Sequence, residues 1–242
     1  MAVIENIRLD GNYLWIDLLT QNIAKVSRPG QFVNVRAGET LDPLLRRPLS
    51  VCDADGDRLK LLVLIKGKGT KQLLNKKTGD TLNIIGPLGN GFPETTRKPL
   101  FVAGGIGVAP FLFLSKKYPE AELLLGARNS SLLPDLTLFK KSCRIETATD
   151  DGSAGIKGTV IDLAAKRSLD KYTIFACGPN PMFHALTRLL KNCPEADAYF
   201  SIETMMGCGF GACKGCSVSA KDGQFKLACT DGPVFRWDEV LP

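Results

Sequence analysis

The sequence of 242 residues contains a single histidine, His184. It falls in the middle of a predicted helix, where such a residue usually packs against its neighbours or faces solvent. No Ser-His-Asp set and no pair of catalytic carboxylates can be assembled around it. The common hydrolase arrangements are therefore not expected. Their absence matters less for hydride and electron transfer, because cofactors carry that chemistry.

Long apolar stretches and basic clusters are also missing. No run approaches the roughly 18 apolar residues of a membrane-spanning helix, and the N-terminus lacks the basic and apolar regions of a secretory signal. The net charge of +6 is spread thinly, so nucleic acid is not an expected partner. Four cysteines are scattered singly, which is typical of reduced thiols and predicts a cytoplasmic protein; they are Cys52, Cys143, Cys177 and Cys193.

The chain divides into stretches with different patterns of predicted strands, helices and turns. Its content of 44% hydrophobic and 23% charged residues is typical of a globular protein of one or two domains. Short strands between Gly and Asp turns fill residues 1–92 and predict a six-stranded antiparallel barrel. Strands alternate with helices over residues 93–203 and predict a doubly wound parallel sheet. The predicted class is thus β followed by α/β, with a separate C-terminal segment at 204–242.

The predicted elements follow from period-2 and period-3.6 patterns between turn residues. In the barrel, the expected strands are 3–9, 13–19, 29–35, 48–52, 59–65 and 81–85, and the expected helix is 69–75. In the second region, the expected strands are 99–103, 122–125, 143–147, 172–176 and 198–202. The expected helices there are 104–117, 159–166 and 181–190.

The other four cysteines are concentrated in the last segment. Cys208, Cys213 and Cys216 are spaced C-x4-C-x2-C, and Cys229 follows after a further loop. This is the ligand order of a plant-type 2Fe-2S cluster, and the interleaved glycines allow the backbone to approach the sulfurs closely. A tetrathiolate zinc site, which usually has two C-x2-C pairs, and a disulfide framework are the alternatives.

A candidate phosphate site lies in the barrel region. Arg47 offers a forked cation and Ser50 a hydroxyl, both on a strand stiffened by a proline. Gly69 and Thr70 open the predicted helix and leave N–H groups available for an anion. The alternative is an ordinary basic strand end that faces solvent.

A glycine turn opens the second region. Gly104, Gly105 and Gly107 follow a predicted strand, and they allow phosphates to approach the start of a helix. The turn lacks the full G-x-G-x-x-G pattern. No acidic residue follows the next strand, so the choice between NAD and NADP stays open. Cys177 ends another strand at the edge where such sheets bind ligands, and it either packs beside a flat ring or is a buried structural cysteine.

Several motifs in order resemble a known family over essentially the whole chain. These motifs are 47–50, 67–70, 86–92, 104–110, 177–179 and the cysteine segment. The chain resembles the ferredoxin-reductase superfamily and, more closely, the electron-transfer subunits of class 1B dihydroorotate dehydrogenases. The resemblance implies an FAD barrel at 1–92, an NAD domain at 93–203 and a 2Fe-2S segment at 204–242.

The resemblance also implies a role for individual residues. The FAD contacts would be Arg47, Pro48, Leu49, Ser50, Leu62, Val63, Leu64, Gly69 and Thr70. The NAD contacts would be Gly104, Gly105, Gly107, Gly178, Pro179 and Met182, with Cys177 near the nicotinamide as a catalytic residue. The cluster ligands would be Cys208, Cys213, Cys216 and Cys229.

The implied activity is electron transfer in pyrimidine biosynthesis. Electrons would pass between dihydroorotate, an FMN in a separate catalytic subunit, the 2Fe-2S cluster, FAD and NAD, in a heterotetramer with two copies of each subunit. Related flavin subunits serve transhydrogenases, sulfhydrogenases and sulfite reductases, some with aspartate in place of one cysteine. Four cysteines favour the dihydroorotate enzyme. A zinc-stabilised module without redox activity is the alternative from a different class.

Overall fold

A computed structural model describes residues 1–38, 41–193 and 195–240. The last two residues of the predicted segment 204–242 lie outside this range. No helix in the described part is long and apolar enough to cross a membrane.

The first region forms a closed antiparallel barrel. Its strands are β1 (Ala2–Asp10), β2 (Tyr13–Leu19), β3 (Phe32–Arg36), β4 (Arg47–Asp55), β5 (Arg58–Leu64) and β6 (Thr81–Leu88). In the described residues these six strands close in the order β1-β2-β5-β4-β3-β6. Alternate residues such as Val33 and Val35 are fully buried inside, as period-2 patterning requires. The predicted six-stranded barrel is confirmed.

Two short helices accompany the barrel, namely α1 (Ile23–Val26) and α2 (Lys68–Gln72). A 3-10 turn at Leu73–Asn75 continues α2. The helix predicted at 69–75 therefore starts one residue early and tightens in its last turn.

The second region is a mainly parallel sheet. It contains β7 (Lys98–Gly104), β8 (Glu122–Ala127), β9 (Arg144–Thr149), β10 (Ile156–Lys157), β11 (Tyr172–Cys177) and β12 (Asp197–Ser201). Its helices are α3 (Ala109–Ser115), α4 (Val160–Ala164) and α5 (Asn180–Leu190). The helix predicted over 104–117 is wrong at its start, because residues Gly105–Val108 form a 3-10 turn. Pro110, which lacks an N–H, fits only the first turn of the α-helix that follows. The short strand β10 was not predicted.

The C-terminal segment returns to this sheet. It contains β13 (Ser217–Ser219), β14 (Phe225–Leu227) and β15 (Val234–Arg236). Within the described residues the seven-stranded sheet has the order β10-β9-β8-β7-β11-β12-β15, and β15 pairs antiparallel with β12. The expected all-parallel sheet thus gains an antiparallel edge strand from the cysteine segment, and three residues of pairing were too short to be predicted.

Successive residues of the central strands enter two different cores. Leu100 and Val102 of β7 face the side covered by α4 and α5. Phe101 faces α3, where its ring stacks on Phe111 with centroids 5.0 Å apart. This second core also contains Trp15 of the barrel. The barrel and the sheet are therefore joined by shared apolar packing as well as by the chain.

Candidate functional site

The four thiols of the C-terminal segment are arranged as two pairs. Cys208 and Cys213 exchange N–H···S contacts, each 3.4 Å from nitrogen to sulfur. The sulfurs of Cys216 and Cys229 lie 3.1 Å apart. This separation is far longer than the roughly 2.05 Å of a disulfide, and all eight cysteines of the chain are free.

The two pairs differ in exposure. Cys213 is exposed and Cys208 is half-buried, whereas Cys216 and Cys229 are each only 2% exposed. We call Cys208 and Cys213 the outer pair and Cys216 and Cys229 the inner pair. A cofactor that they share would extend from the buried interior of the segment to solvent.

Backbone amides of the segment point at the sulfurs. Phe210 N–H donates to Cys208 Sγ at 3.5 Å, Gly211 N–H to Cys229 Sγ at 3.2 Å, and Gly215 N–H to Cys213 Sγ at 3.5 Å. Gly211 has a φ of 87°, a conformation that glycine adopts without penalty. Such N–H groups stabilise thiolates, which are the form that binds metals.

The pKa values of these thiols follow from the same contacts. The N–H groups of Cys213 and then Phe210 lower the pKa of Cys208 to about 6. Burial first, and then the neighbouring Cys216, raise the pKa of Cys229 to about 11. Binding of a positive metal ion would therefore favour release of the Cys229 proton.

The donor set fits a two-iron cluster. Each iron of a 2Fe-2S cluster takes two thiolates, and the segment offers two pairs of thiols with amide donors around them. A tetrathiolate zinc site would need all four sulfurs around a single position, whereas here Cys208 contacts Cys213 and Cys216 contacts Cys229.

Residues of the predicted phosphate site lie close together in the barrel. A Cβ on Gly69 would lie 2.8 Å from Cζ of Arg47, so the guanidinium lies directly against this glycine. The Thr70 hydroxyl accepts the N–H of Lys66 at 2.9 Å and of Gly67 at 3.2 Å. Gly67, and not Gly69, is therefore the capping residue of α2. Pro48, Leu49 and Ser50 follow Arg47 on β4 and are partly exposed.

The three predicted FAD contacts on β5, which are Leu62, Val63 and Leu64, are less accessible. Leu62 is 2% exposed in the core between barrel and sheet, and Val63 is 1% exposed inside the barrel. Leu64 is half-buried. The side chains of Leu62 and Val63 are occupied by packing, and the role of these residues as FAD contacts stays a prediction.

The glycine turns after β7 and β11 contact each other. A Cβ on Gly104 would lie 2.6 Å from Pro179 Cδ and 3.1 Å from Met182 Sδ. A Cβ on Gly107 would lie 2.8 Å from the nitrogen of Gly178. These glycines thus allow the two turns to pack together, which is a different reason from the expected approach of a phosphate.

Gly105 is the exception in this turn. It has a φ of 54°, and a Cβ at this position would meet nothing within 4 Å. The space beside the turn is therefore open at Gly105, at the carboxyl edge of the sheet where ligands of this fold class bind.

Cys177 lies at the end of β11 and is fully buried. Burial, reinforced by the charge of Glu203, raises the pKa of Cys177, and a contact with Ser201 opposes this effect. The residue is a neutral thiol packed in the core that contains Phe101 and Trp15. Its position at the sheet edge matches the prediction, and its catalytic role stays a prediction.

Glu203 was missed by the reasoning from sequence. It follows β12, its charge acts on Cys177, and the charge of Lys66 acts on it, so it lies near both the sheet edge and the loop before α2. Its side chain reaches solvent, but desolvation by the surrounding protein raises the pKa of Glu203, while Lys66 opposes the shift. The signal available was an acidic residue directly after a predicted strand at the ligand-binding edge.

Comparisons with known proteins agree with this arrangement. Residues 203–241 match the model of the iron-sulfur cluster binding domain of dihydroorotate dehydrogenase B. The dihydroorotate dehydrogenase B (NAD(+)) electron transfer subunit of Geobacillus kaustophilus is 40% identical over 231 residues, covering 90% of this chain and 89% of that protein. The subunit of the same name from Desulforamulus reducens is 41% identical, covering 95% and 93%.

A solved structure is similar over nearly the whole chain. The NADH-dependent reduced ferredoxin-NADP oxidoreductase, described in connection with flavin-based electron bifurcation, gives a TM-score of 0.86 at 30% identity, covering 99% of this chain and 89% of that one. The ferredoxin reductase in carbazole 1,9a-dioxygenase has a TM-score of 0.68 at 20% identity, covering 81% and 67%. That second likeness concerns the fold alone.

The barrel, the sheet and the cysteine segment together define a flavin-dependent electron-transfer oxidoreductase subunit of the ferredoxin-reductase type. The fold and the matched cluster-binding domain support FAD, a 2Fe-2S cluster and NAD as its cofactors. More particularly, the chain belongs to the family of dihydroorotate dehydrogenase B electron transfer subunits.

Proposed function

We propose that this chain passes electrons between NAD and a catalytic subunit that oxidises dihydroorotate to orotate in pyrimidine biosynthesis. One observation carries the proposal: four cysteines lie as two pairs, with backbone N–H groups donating to their sulfurs, in a chain of this family. The word subunit in the relatives' name implies a catalytic partner. The proposed partner contains FMN, and the proposed assembly has two copies of each subunit in the cytoplasm.

The proposal assigns each region to one group. The barrel at 1–92 binds FAD, the sheet domain at 93–203 binds NAD, and the segment at 204–242 binds the cluster. Cys208 and Cys213 would hold one iron and Cys216 and Cys229 the other. Arg47 would pair with the FAD pyrophosphate beside Gly69. A nicotinamide carries two electrons, a 2Fe-2S cluster carries one, and a flavin handles both, which is why the three groups are combined.

Residues at the carboxyl edge of the sheet would bind and orient these groups. Gly105 leaves room for a nucleotide there. Cys177 would lie beneath it as a neutral buried thiol, and Glu203 holds a proton more firmly than an ordinary carboxyl does. The apolar core between barrel and sheet keeps the two nucleotide sites at a fixed separation.

The outer pair marks the proposed docking surface for the catalytic subunit. Cys213 is exposed, and the side chains of Met205 and Phe210 in the same segment are 89% and 56% exposed. Exposed apolar side chains are frequent at protein interfaces. A partner that covers them would approach the outer pair directly.

Reconstitution with the partner tests this proposal. The purified chain is loaded with FAD, iron and sulfide and mixed with the catalytic subunit of a dihydroorotate dehydrogenase B. We expect a stable complex that reduces NAD with dihydroorotate, and neither subunit alone should do so. A fully loaded chain that forms no complex and transfers no electrons would contradict the proposed partner.

A second candidate keeps the cofactors and changes the partner. The similarity to the NADH-dependent reduced ferredoxin-NADP oxidoreductase extends over 99% of this chain, so a subunit of another NAD(P)-linked complex is also supported. Purification of the native complex from its source distinguishes the candidates, because the accompanying large subunit differs between them.

A further inference from the structure

Two asparagines of the barrel hold the two cysteine loops, and the proposed function assigns a role to neither. We propose that Asn34 and Asn90 are positioning residues, which fix the iron–sulfur cluster relative to the flavin. This inference rests on the proposed function, because it concerns the placement of the same cofactors.

Asn34 contacts the loop of the outer pair. Its Nδ2 donates to the carbonyl oxygen of Cys208 at 3.1 Å. Val33 and Val35 point into the barrel core, so Asn34 between them points out of the barrel toward the cysteine segment. A Cβ on Gly209 would lie 3.1 Å from Asn34 Cγ and closer still to Nδ2. The loop therefore approaches Asn34 as closely as a backbone can.

Packing within the barrel gives no reason for a polar side chain at position 34. The residue is fully buried, and its Oδ1 has no hydrogen-bond partner within the described part of the chain. A buried polar atom without a partner costs about 1–3 kcal/mol, which an apolar residue at this position would avoid. The contact with Cys208 is the interaction that an apolar residue could not make.

Asn34 also adjoins the proposed flavin-binding strand. It pairs with Pro48 on β4, next to Arg47. Its carbonyl accepts from Nη1 of Arg46 at 3.4 Å. One residue on β3 thus connects the outer pair to the strand that carries the proposed FAD contacts.

Asn90 connects the loop of the inner pair to the barrel. Its Nδ2 donates to the carbonyl oxygens of Thr230 and Asp231, both at 3.0 Å, directly after Cys229. Its backbone N–H donates to Gly232 O at 2.6 Å. The barrel side of this junction is held in turn, because Gln31 Nε2 donates to Gly89 O at 2.7 Å.

The contacts of Asn34 and Asn90 together attach both cysteine pairs to the barrel. Asn34 is tied to Cys208 of the outer pair, and Asn90 is tied to the loop of Cys229 of the inner pair, so each pair has its own connection to the barrel. Residues behind the metal ligands orient them, and their loss typically reduces affinity or activity by about tenfold or more. The distance between flavin and cluster would therefore depend on both asparagines.

The test uses the full chain and four variants, namely Asn90→Ala, Asn90→Gln, Asn34→Leu and the control Asn6→Ala. Asn6 is a barrel asparagine that donates to Asp17 at 3.2 Å, far from the cysteines in sequence and on β1. Amide hydrogen exchange is measured at 207–211 and 227–233, with and without cofactors. In the loaded protein, anaerobic stopped-flow absorbance follows flavin reduction and cluster reduction by NADH separately.

The proposal predicts a local effect and a kinetic effect. Exchange should accelerate about fivefold in 207–211 for Asn34→Leu, which loses one ordinary hydrogen bond. It should accelerate by about fivefold or more in 227–233 for Asn90→Ala, which loses two. Cluster reduction should slow about tenfold relative to flavin reduction. Asn90→Gln, which keeps the amide, should restore part of the rate, and Asn6→Ala should match the wild type.

Asn90 is exposed, so Asn90→Ala remains informative even if Asn34→Leu fails to fold. Wild-type exchange in Asn90→Ala, or wild-type cluster reduction despite faster exchange, would overturn the positioning role. A loaded wild-type protein in which NADH reduces flavin but never the cluster would instead contradict the proposed function.

Discussion

The cysteine segment and the proposed nucleotide-binding region assemble their functional groups in opposite ways. In the segment, the thiols and several of the N–H groups that face them come from one short stretch, 208–229. In the nucleotide-binding region, the proposed groups come from distant stretches that include Arg47, Gly105, Cys177 and Glu203. A single substitution should therefore abolish cofactor binding at the site built from one segment. At the site built from several segments, a single substitution should only weaken cofactor binding.

The largest expected effect is that of Cys213→Ser. The variant removes a ligand of the outer pair and should abolish the cluster, while NADH-to-dye activity through FAD remains largely intact. Iron content, the reduced-cluster EPR signal and dye reduction measure both parts. Cys193→Ser, which changes a cysteine outside the segment, should keep both properties. Joint loss of cluster and flavin in Cys213→Ser would mean that the segment also holds the flavin domain together.

Arg47→Ala should weaken FAD retention without affecting the cluster. A charged hydrogen bond contributes roughly 1.5–3 kcal/mol, so the dissociation constant of FAD should rise about tenfold or more. Flavin fluorescence after gel filtration measures the retained fraction. Arg58→Ala is the matched control, because Arg58 pairs with Glu5 on the barrel surface. Unchanged flavin content in Arg47→Ala would remove this residue from the phosphate site.

Two glycines of one turn should differ in their tolerance of alanine. Gly107→Ala places a Cβ 2.5 Å from the carbonyl carbon of Cys177, and overpacking of this kind costs about 1–3 kcal/mol. Gly105→Ala meets no atom and costs only the roughly 1 kcal/mol of a positive φ. Urea unfolding of the apoprotein compares the two. Equal stabilities would show that the turns after β7 and β11 are not packed together.

The smallest expected effect is a pH dependence due to Glu203. Its pKa is raised in the folded protein, so the folded state binds the proton more tightly than the unfolded chain, and stability is lost as pH rises from the ordinary carboxyl pKa through the raised one. Glu203→Gln should therefore unfold at higher urea concentration than wild type at pH 7, and both should coincide near pH 4. If wild type instead unfolds at higher urea concentration than Glu203→Gln at pH 7, the folded protein stabilises the Glu203 carboxylate, and its pKa is not raised.

The two regions also differ in how far the sequence predicts them. The spacing from Cys208 to Cys229 specifies a ligand set because neighbouring residues in the chain are neighbours in space. The barrel strands were predicted because a buried interior imposes period-2 alternation. The contacts of Asn34 with Cys208 and of Asn90 with Thr230 join residues 174 and 140 positions apart. No local pattern encodes such pairs, and the same holds for β15 and for the surroundings of Glu203.

We infer that one chain carries a flavin and a 2Fe-2S cluster in electronic contact. To test this, the purified protein is loaded with FAD, iron and sulfide and reduced with NADH without oxygen, and its absorbance and EPR spectra are recorded. We expect bleached flavin absorbance together with a rhombic reduced-cluster signal. Zinc without iron in the native protein, with no retained flavin, would contradict it.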